Sequence, residues 1–301
     1  MTRRLARSHL FVPGDNPARI AKAMAAGADA VIIDLEDAVA PARKADARRL
    51  TADALAEARP APAPLVAVRL NAVDTGLWAD DLDAVVGPTL DVVRVAKVES
   101  AAQLAEVAAR LDALEQARGL PPGGIGLVPT LESALGVLRA EAIAAVPRVW
   151  GFAFGATDFL RDIGAPPDAG DRALLHAQSH LVLVSRAAAL QPPIASVHPQ
   201  IHDLDGLRRT SQEARSLGFF GRSCIHPRQL PVVHEVFSPS AAELAAARAI
   251  VEAWRAAAAR STGAVALPDG QFLDRAVALR AEGLLALADS LSSSHAMETR
   301  P

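Results

Sequence analysis

Val-Pro-Thr-Leu-Glu-Ser at residues 128–133, followed by Phe-Gly-Ala-Thr-Asp at 154–158, decides how this chain is read. In each stretch an acid, Glu132 or Asp158, closes or follows a short apolar run with the character of a buried strand, and a helical stretch lies between them. A strand–helix–strand unit crosses over right-handed and sets its strands parallel and adjacent, so both carboxylates emerge on one edge of one sheet. Two acids so placed can hold Mg²⁺, with substrate and water oxygens filling the remaining positions.

Outward from that unit the same alternation repeats. Strands are expected at His9–Pro13, Ala30–Asp34, Leu65–Leu70, Val92–Val98, Gly126–Thr130, Val149–Gly155, Pro193–Val197 and Gly221–His226. Between them, residues 17–26, 41–58, 77–86, 100–116, 133–145, 172–190 and 204–217 carry apolar residues at helical spacing. Eight strands with intervening helices predict an α/β fold of the (β/α)8, TIM-barrel kind, and no Gly-x-Gly-x-x-Gly turn follows the first strand to favour an open dinucleotide-binding sheet. The long connection through residues 158–190 has the length of a functional loop. The expected domains are a barrel over residues 7–236, a C-terminal helical extension over 237–291, and a disordered tail over 292–301.

Composition narrows the function. The 301 residues are 51% hydrophobic and 22% charged, enough for one large core. A net charge of −3 gives no basic field for nucleic acid. No apolar run reaches the roughly 18–20 residues of a membrane span, and the basic start breaks at Pro13-Gly14 without an export-type core. The single cysteine, Cys224, suits a reducing cytoplasm and reads as core.

The strand ends collect polar residues: Asp34, Glu36 and Asp37 after strand 2, Arg69 and Asn71 at strand 3, Lys97 and Glu99 at strand 4, Glu132, Asp158, and His226 at the last strand. In barrel enzymes that face holds the active site. Plainer roles compete at each position. Asp158 suits a helix cap and Glu132 a first-turn acid; Glu36 and Asp37 suit either metal-bound water or the start of the next helix. Arg69 can capture a carboxylate or a developing oxyanion, or form a structural ion pair with Asp34 or Glu36. Lys97 could form a Schiff base, but neighbouring carboxylates would keep it protonated. His226 reads as a hydrogen-bonded rim residue.

At these positions the chain resembles the citrate lyase β-subunit-like family, within the wider HpcH/HpaI aldolase and malyl-CoA lyase superfamily of Mg²⁺-dependent barrels. The resemblance runs from about Arg7 to Leu287. It is carried by Leu-Phe-Val-Pro-Gly-Asp (10–15), Gly-Ala-Asp-Ala-Val-Ile-Ile-Asp-Leu-Glu-Asp-Ala-Val (27–39), Val-Arg-Leu-Asn (68–71), Lys-Val-Glu-Ser (97–100), Glu132, Phe-Gly-Ala-x-Asp (154–158) and Ile-His-Pro (225–227).

The resemblance implies Glu132 and Asp158 as Mg²⁺ ligands and Arg69 as the contact to keto-acid and enolate oxygens. It implies Glu36 and Asp37 as acids beside the metal, and Pro13, Gly14, Arg19, Lys22 and Lys44 at the place of the CoA moiety. Residues 267–276 look like the extension of CoA-dependent members, in which an aspartate matching Asp274 reaches a neighbouring subunit's site as acid/base within a homotrimer. Shorter β subunits of the citrate lyase complex are expected to lack that segment. The implied activity is cleavage of a β-hydroxyacyl-CoA, citramalyl-CoA or malyl-CoA, to acetyl-CoA and a 2-oxo acid. Thioester hydrolysis, malate synthase-type condensation, citryl thioester cleavage and a non-catalytic thioester-binding subunit are the alternatives. Asp37, where CoA-free pyruvate aldolases carry a histidine, argues against those. Thr157, Arg222 and the segment Ala195-Ser-Val-His-Pro-Gln depart from the family pattern and bear on substrate identity.

Overall fold

A computed structural model describes residues 4–57, 63–166, 171–259, 265–266 and 272–296. The chain separates into two compact units, Met1–His234 and Glu235–Pro301.

In the first unit the elements run β1 (Ser8–Pro13), α1 (Pro17–Met24), β2 (Ala30–Asp34), α2 (Lys44–Ala56), β3 (Leu65–Leu70), α3 (Trp78–Val85), β4 (Val92–Val95), α4 (Ala101–Ala117) and β5 (Gly126–Leu131). They continue with α5 (Ala134–Leu138), α6 (Ala140–Ala144), β6 (Ala153–Phe154), α7 (Ala156–Asp162), α8 (Asp171–Ala187), α9 (Leu204–Leu217) and β7 (Arg222–Cys224), and α10 (Leu230–Phe237) runs across the boundary at His234. The strands form one parallel sheet in the order β6-β5-β4-β3-β2-β1-β7. This is an α/β half-barrel of the TIM type.

The expected seventh strand, Pro193–Val197, is reduced to two bridges, Ala153 with Ile194 and Ala195 with Arg222. The Pro192-Pro193 pair accounts for the shortfall, since neither residue can donate to a ladder. Ile194 N still donates to Phe152 O, and Ser223 N to Ala195 O, so the segment hydrogen-bonds toward both β6 and β7.

Each element follows from local chemistry. β2 is buried along its whole length, as a run of Ala-Val-Ile-Ile-Asp covered on both faces must be. Asn16 caps α1 through Arg19 N, and Pro17 opens that helix. Ser100 and Gln103 cap α4 reciprocally. Gly218 ends α9 at φ 108°, a conformation few side chains tolerate.

Ile32, Ala67, Val92, Val128, Ala153 and Ile194 pack together as one core cluster against Phe11 and Trp150. Burying a large aliphatic side chain is worth about 1.5–3 kcal/mol. Gly126 faces the Trp150 ring so closely that a Cβ there would stand 2.1 Å from it. Arg7 clamps the start of β1 to Asp29 through its backbone N–H (2.7 Å) and guanidinium (2.8 and 2.9 Å).

In the second unit, α11 (Ala241–Ala259) packs on α12 (Arg275–Ala296) through Ala247, Val251 and Ala281, with Ile250, Leu284 and Leu285 alongside. β8 (Val265–Ala266) and β9 (Phe272–Leu273) pair antiparallel. The last helix reaches Ala296, beyond the end expected near Leu291, and takes 292–296 out of the expected tail. Residues 267–271 of the resembling extension, and 297–301, lie outside the described residues. Among the described residues, no helix is long and apolar enough to cross a membrane.

Candidate metal and acyl-binding site

The parallel pairing of β5 with β6 matches Thr130 to Ala153 and Leu131 to Phe154. Glu132 therefore leaves the sheet beside Gly155, and Asp158 follows in the first turn of α7. Gly155 makes room for the glutamate: a Cβ there would lie 2.4 Å from Glu132 Oε2 and 2.6 Å from its Cβ. Glu132 is buried, and its Oε1 accepts the backbone N–H of Lys97 at 2.8 Å. Burial pushes its carboxyl up to about 7, with the charges of Asp158 and Glu36 adding to the rise. Asp158 is partly exposed and pairs with Arg161 one turn on, at 3.0 Å.

The Lys97 N–H reaches Glu132 because Lys97 is left-handed, at φ 52°, which ends β4 at Val95 instead of Val98. A lysine in that region costs free energy that the surroundings must offset. Its ammonium meets Glu36 Oε1 at 2.5 Å and Asp37 Oδ1 at 3.3 Å. Burial works against the Lys97 charge, but the hydrogen bond to Glu36 and the charges of Glu36 and Asp37 outweigh it and raise its pKa. Lys97 is thus a protonated bridge and a poor Schiff-base nucleophile.

Arg69 and Asp34 are cross-strand partners in the register of β2 and β3. The guanidinium holds Asp34 in a fork, Nε at 2.7 Å and Nη2 at 2.6 Å. Its Nη1 lies 2.8 Å from Glu36 Oε2 but out of hydrogen-bond alignment, so that contact is one of charge alone. Burial opposes the Arg69 charge; Asp34, Glu36 and Asp37 more than restore it. Asp34 also accepts the backbone N–H groups of Glu36 and Ala38, which fixes the acidic loop after β2. Arg69 is therefore both the structural ion pair and the cation at the sheet edge.

Pro13 ends β1 opposite Asp34, and Gly14 N donates to Asp34 O at 2.8 Å. Gly14 is closely covered: a Cβ there would lie 2.7 Å from Thr51 Oγ1 and 2.9 Å from Leu35 Cδ2. Lys44 Nζ donates to the carbonyls of Leu35 and Glu36, both at 2.7 Å, bracing the acidic loop. Arg19 and Lys22 are exposed on α1, away from its buried Ile20 and Ala23.

Asp274 belongs to the second unit and caps α12 by accepting Val277 N at 3.0 Å. His226 is exposed and caps the following turn through Arg228 N, while the buried Gln229 braces the rim by donating to His198 O. Cys224 is fully buried, its thiol pushed up to about 12 by burial, and is core as expected.

Gly155 and the buried Arg94 were not anticipated. The spacing of Gly155 ahead of Asp158 was visible in the sequence, but its contact with Glu132 crosses two strands. Among the described residues, no three His, Cys, Asp or Glu side chains cluster in ligating positions. The pair Glu132 and Asp158 fits a cation such as Mg²⁺, which keeps most of its shell for water and ligand oxygens. Burial is the main reason that the Glu132 carboxyl is raised, and the charge of Asp158 adds to it.

A family model described as HpcH/HpaI aldolase/citrate lyase matches residues 7–227. The chain is 36% identical over 288 residues to the citrate lyase subunit beta of Leuconostoc mesenteroides subsp. cremoris, covering 95% of this chain and 94% of that one. It is 34% identical over 287 residues to a (3S)-malyl-CoA thioesterase of Cereibacter sphaeroides, covering 95% and 96%. Its fold matches protein CitE of Mycobacterium tuberculosis, solved in complex with magnesium, acetoacetate and coenzyme A, with a TM-score of 0.77, 35% identity, and 95% and 98% coverage. The Leuconostoc subunit aligns over nearly its whole length, so the expectation that dedicated β subunits are shorter does not separate them from this chain.

Proposed function

Because this chain belongs to the HpcH/HpaI aldolase/citrate lyase family, we propose that it is a Mg²⁺-dependent carbon–carbon lyase that cleaves a β-hydroxyacyl-CoA, citramalyl-CoA or malyl-CoA, to acetyl-CoA and a 2-oxo acid. The observation that carries this reading is the pairing of Glu132 and Asp158 at one edge of adjacent parallel strands, close enough for one charge to act on the other. The magnesium and coenzyme A found with the CitE structure support it. The reading includes a closed (β/α)8 barrel, supported by the bridges of Ile194 and Ala195. It also includes a barrel domain over 7–236 with an extension over 237–291, and a cytoplasmic location.

In this mechanism Glu132 and Asp158 hold the magnesium. The ion supplies Lewis acidity toward the substrate's carboxylate and hydroxyl oxygens. Arg69, kept cationic by Asp34 and Glu36, neutralises negative charge as the carbon–carbon bond parts. Glu36 and Asp37 orient water beside the ligands, and Lys97 keeps their mutual repulsion in check. The hydroxyl proton released on cleavage passes to the water that Glu36 and Asp37 would orient, and a protonated Asp274 of a neighbouring subunit gives its proton to the acetyl-CoA enolate, both transfers reversing in the synthetic direction. The CoA moiety lies over Pro13 and Gly14, with Arg19 and Lys22 near its phosphates. Lys44 contributes by holding the loop after β2.

Malyl-, citramalyl- and citryl-CoA incubated with and without Mg²⁺, with free CoA, acetyl-CoA and 2-oxo acid measured separately, test the reading. Acetyl-CoA and oxo acid should appear only with the metal, and Glu132→Ala and Asp158→Ala should each abolish them. Wild-type rates in both variants refute the assignment.

The similarity to a (3S)-malyl-CoA thioesterase favours a second reading, hydrolysis at the same site. Release of free CoA without oxo acid identifies it. Citryl-CoA as sole substrate identifies a citrate lyase β-type activity, and ligand binding without product a non-catalytic subunit.

A further inference from the structure

At the strand starts of β2, β3 and β4, away from the acidic cluster, the interior of the first unit holds a cavity of about 40 Å³. Its walls are largely apolar, from Ile32, Ala67, Val92, Val128 and Trp150. The ionisable residues lining it are Arg4, His9 and Arg94; none is an acid.

Arg94 is buried at 4% exposure. Its Nε donates to Thr130 Oγ1 at 3.1 Å and its Nη1 to Ser223 Oγ at 3.2 Å, both neutral hydroxyls. Its guanidinium carbon lies 5.0 Å from the Phe11 ring centroid, and that of Arg69 lies 5.0 Å from the same ring. An arginine has five N–H donors, so two bonds to hydroxyls leave most of the fork uncommitted. The carboxylates whose charge reaches Arg94 already serve others: Asp34 and Glu36 hold Arg69, and Glu132 accepts Lys97 N. Among the described residues, no carboxylate forms an ion pair with Arg94. A charge buried this far from water is otherwise found paired or hydrogen-bonded by charge.

We propose that this cavity is a binding site for a small monoanion, of halide or formate size, held by the Arg94 guanidinium against its apolar walls. The volume sets the size class. At about 10–15 Å³ for each water-sized sphere, the space takes about three such spheres, enough for a halide or a three-atom carboxylate and too little for phosphate or a nucleotide. The inference is independent of the reaction proposed above, because it rests on residues beneath the acidic cluster.

The experiment uses the wild-type protein and bromide. Crystals grown without halide and soaked in bromide should show an anomalous peak within hydrogen-bond distance of the Arg94 guanidinium. In solution, melting in sodium bromide or chloride, against sodium gluconate at equal ionic strength, should show a saturable rise of about 3 °C or more, as for a ligand that binds only the folded state. Arg94→Met should abolish the halide-specific rise while melting no lower than wild type in gluconate, since it removes the unpaired charge. Should that variant not fold, the bromide peak in the wild-type protein still decides. A cavity holding only water, with halide and gluconate melting curves that coincide, overturns the proposal.

Discussion

Glu132 and Gly155 face each other with no space for another atom, so the carboxylate's position depends on a side chain that is missing. Gly155→Ala should leave the sheet intact yet push Glu132 aside. We expect Mg²⁺ affinity to fall at least about tenfold, with a stability cost of about 1–3 kcal/mol for overpacking, read by titration calorimetry and by urea unfolding. Unchanged metal affinity would show that Glu132 is not a ligand. Glu132, Asp158, Arg69, Glu36 and Asp37 stand out as candidates because they gather near the ends of apolar runs, where polar side chains leave the core. The pairing of Arg69 with Asp34 was legible as a possibility, and the strand register turned it into a contact. Arg94 was not legible, because an arginine between valines in β4 reads as part of an ordinary strand. Nor was the left-handed Lys97, since nothing in Val-Ala-Lys-Val demands a backbone that only the Glu132 contact explains.

Among the elements, α4 shows how much a single side chain contributes at a helix start. Ser100 and Gln103 cap each other's backbone N–H groups, and the turn they secure follows directly on Lys97. Ser100→Ala should cost about 1 kcal/mol, visible as a lower urea midpoint at unchanged slope. No loss at all would mean that the cap is idle. The existence and order of the strands were largely readable from the apolar runs; their lengths were not. β4 stops at the Lys97 kink, the expected strand at 149–155 keeps only Ala153 and Phe154 beyond a bridge at Val149, and the Pro192-Pro193 pair starves the segment after α8 of donors. The single helix expected over 133–145 breaks at Arg139 into α5 and α6. Periodicity reports which face is apolar, and both short helices share one face, so it does not register the break.

At the scale of the molecule, His9 makes one contribution to stability in acid. Burial, and then the charge of Arg94, push His9 down to about 4. Between its ordinary pKa of about 6.5 and that value, the unfolded chain gains a proton that the folded chain refuses. The histidine's contribution is therefore full above pH 6.5 and is lost toward pH 4, by on the order of 1–3 kcal/mol, while Glu132, its carboxyl pushed up to about 7, works in the opposite sense as the pH falls below 7. Urea unfolding at several pH values should show the stability difference between the wild type and His9→Gln moving against the wild type as the pH falls from 6.5 to 4; a difference that does not change with pH would discard the account. For the proposed trimer, mixing Glu132→Gln with Asp274→Asn protein under conditions that exchange subunits should restore activity that neither has alone. With random exchange, half the barrels are intact and half of their neighbours supply an intact aspartate, giving about a quarter of wild-type activity. Inactivity after proven exchange would place Asp274 outside the reaction. Pairing β2 and β3 one residue out of step would strand a guanidinium among aliphatic side chains and leave a buried acid alone. The pair that would meet the substrate thus also proofreads the threading of the chain, and a misthreaded molecule is penalised at the place where it would have failed to work.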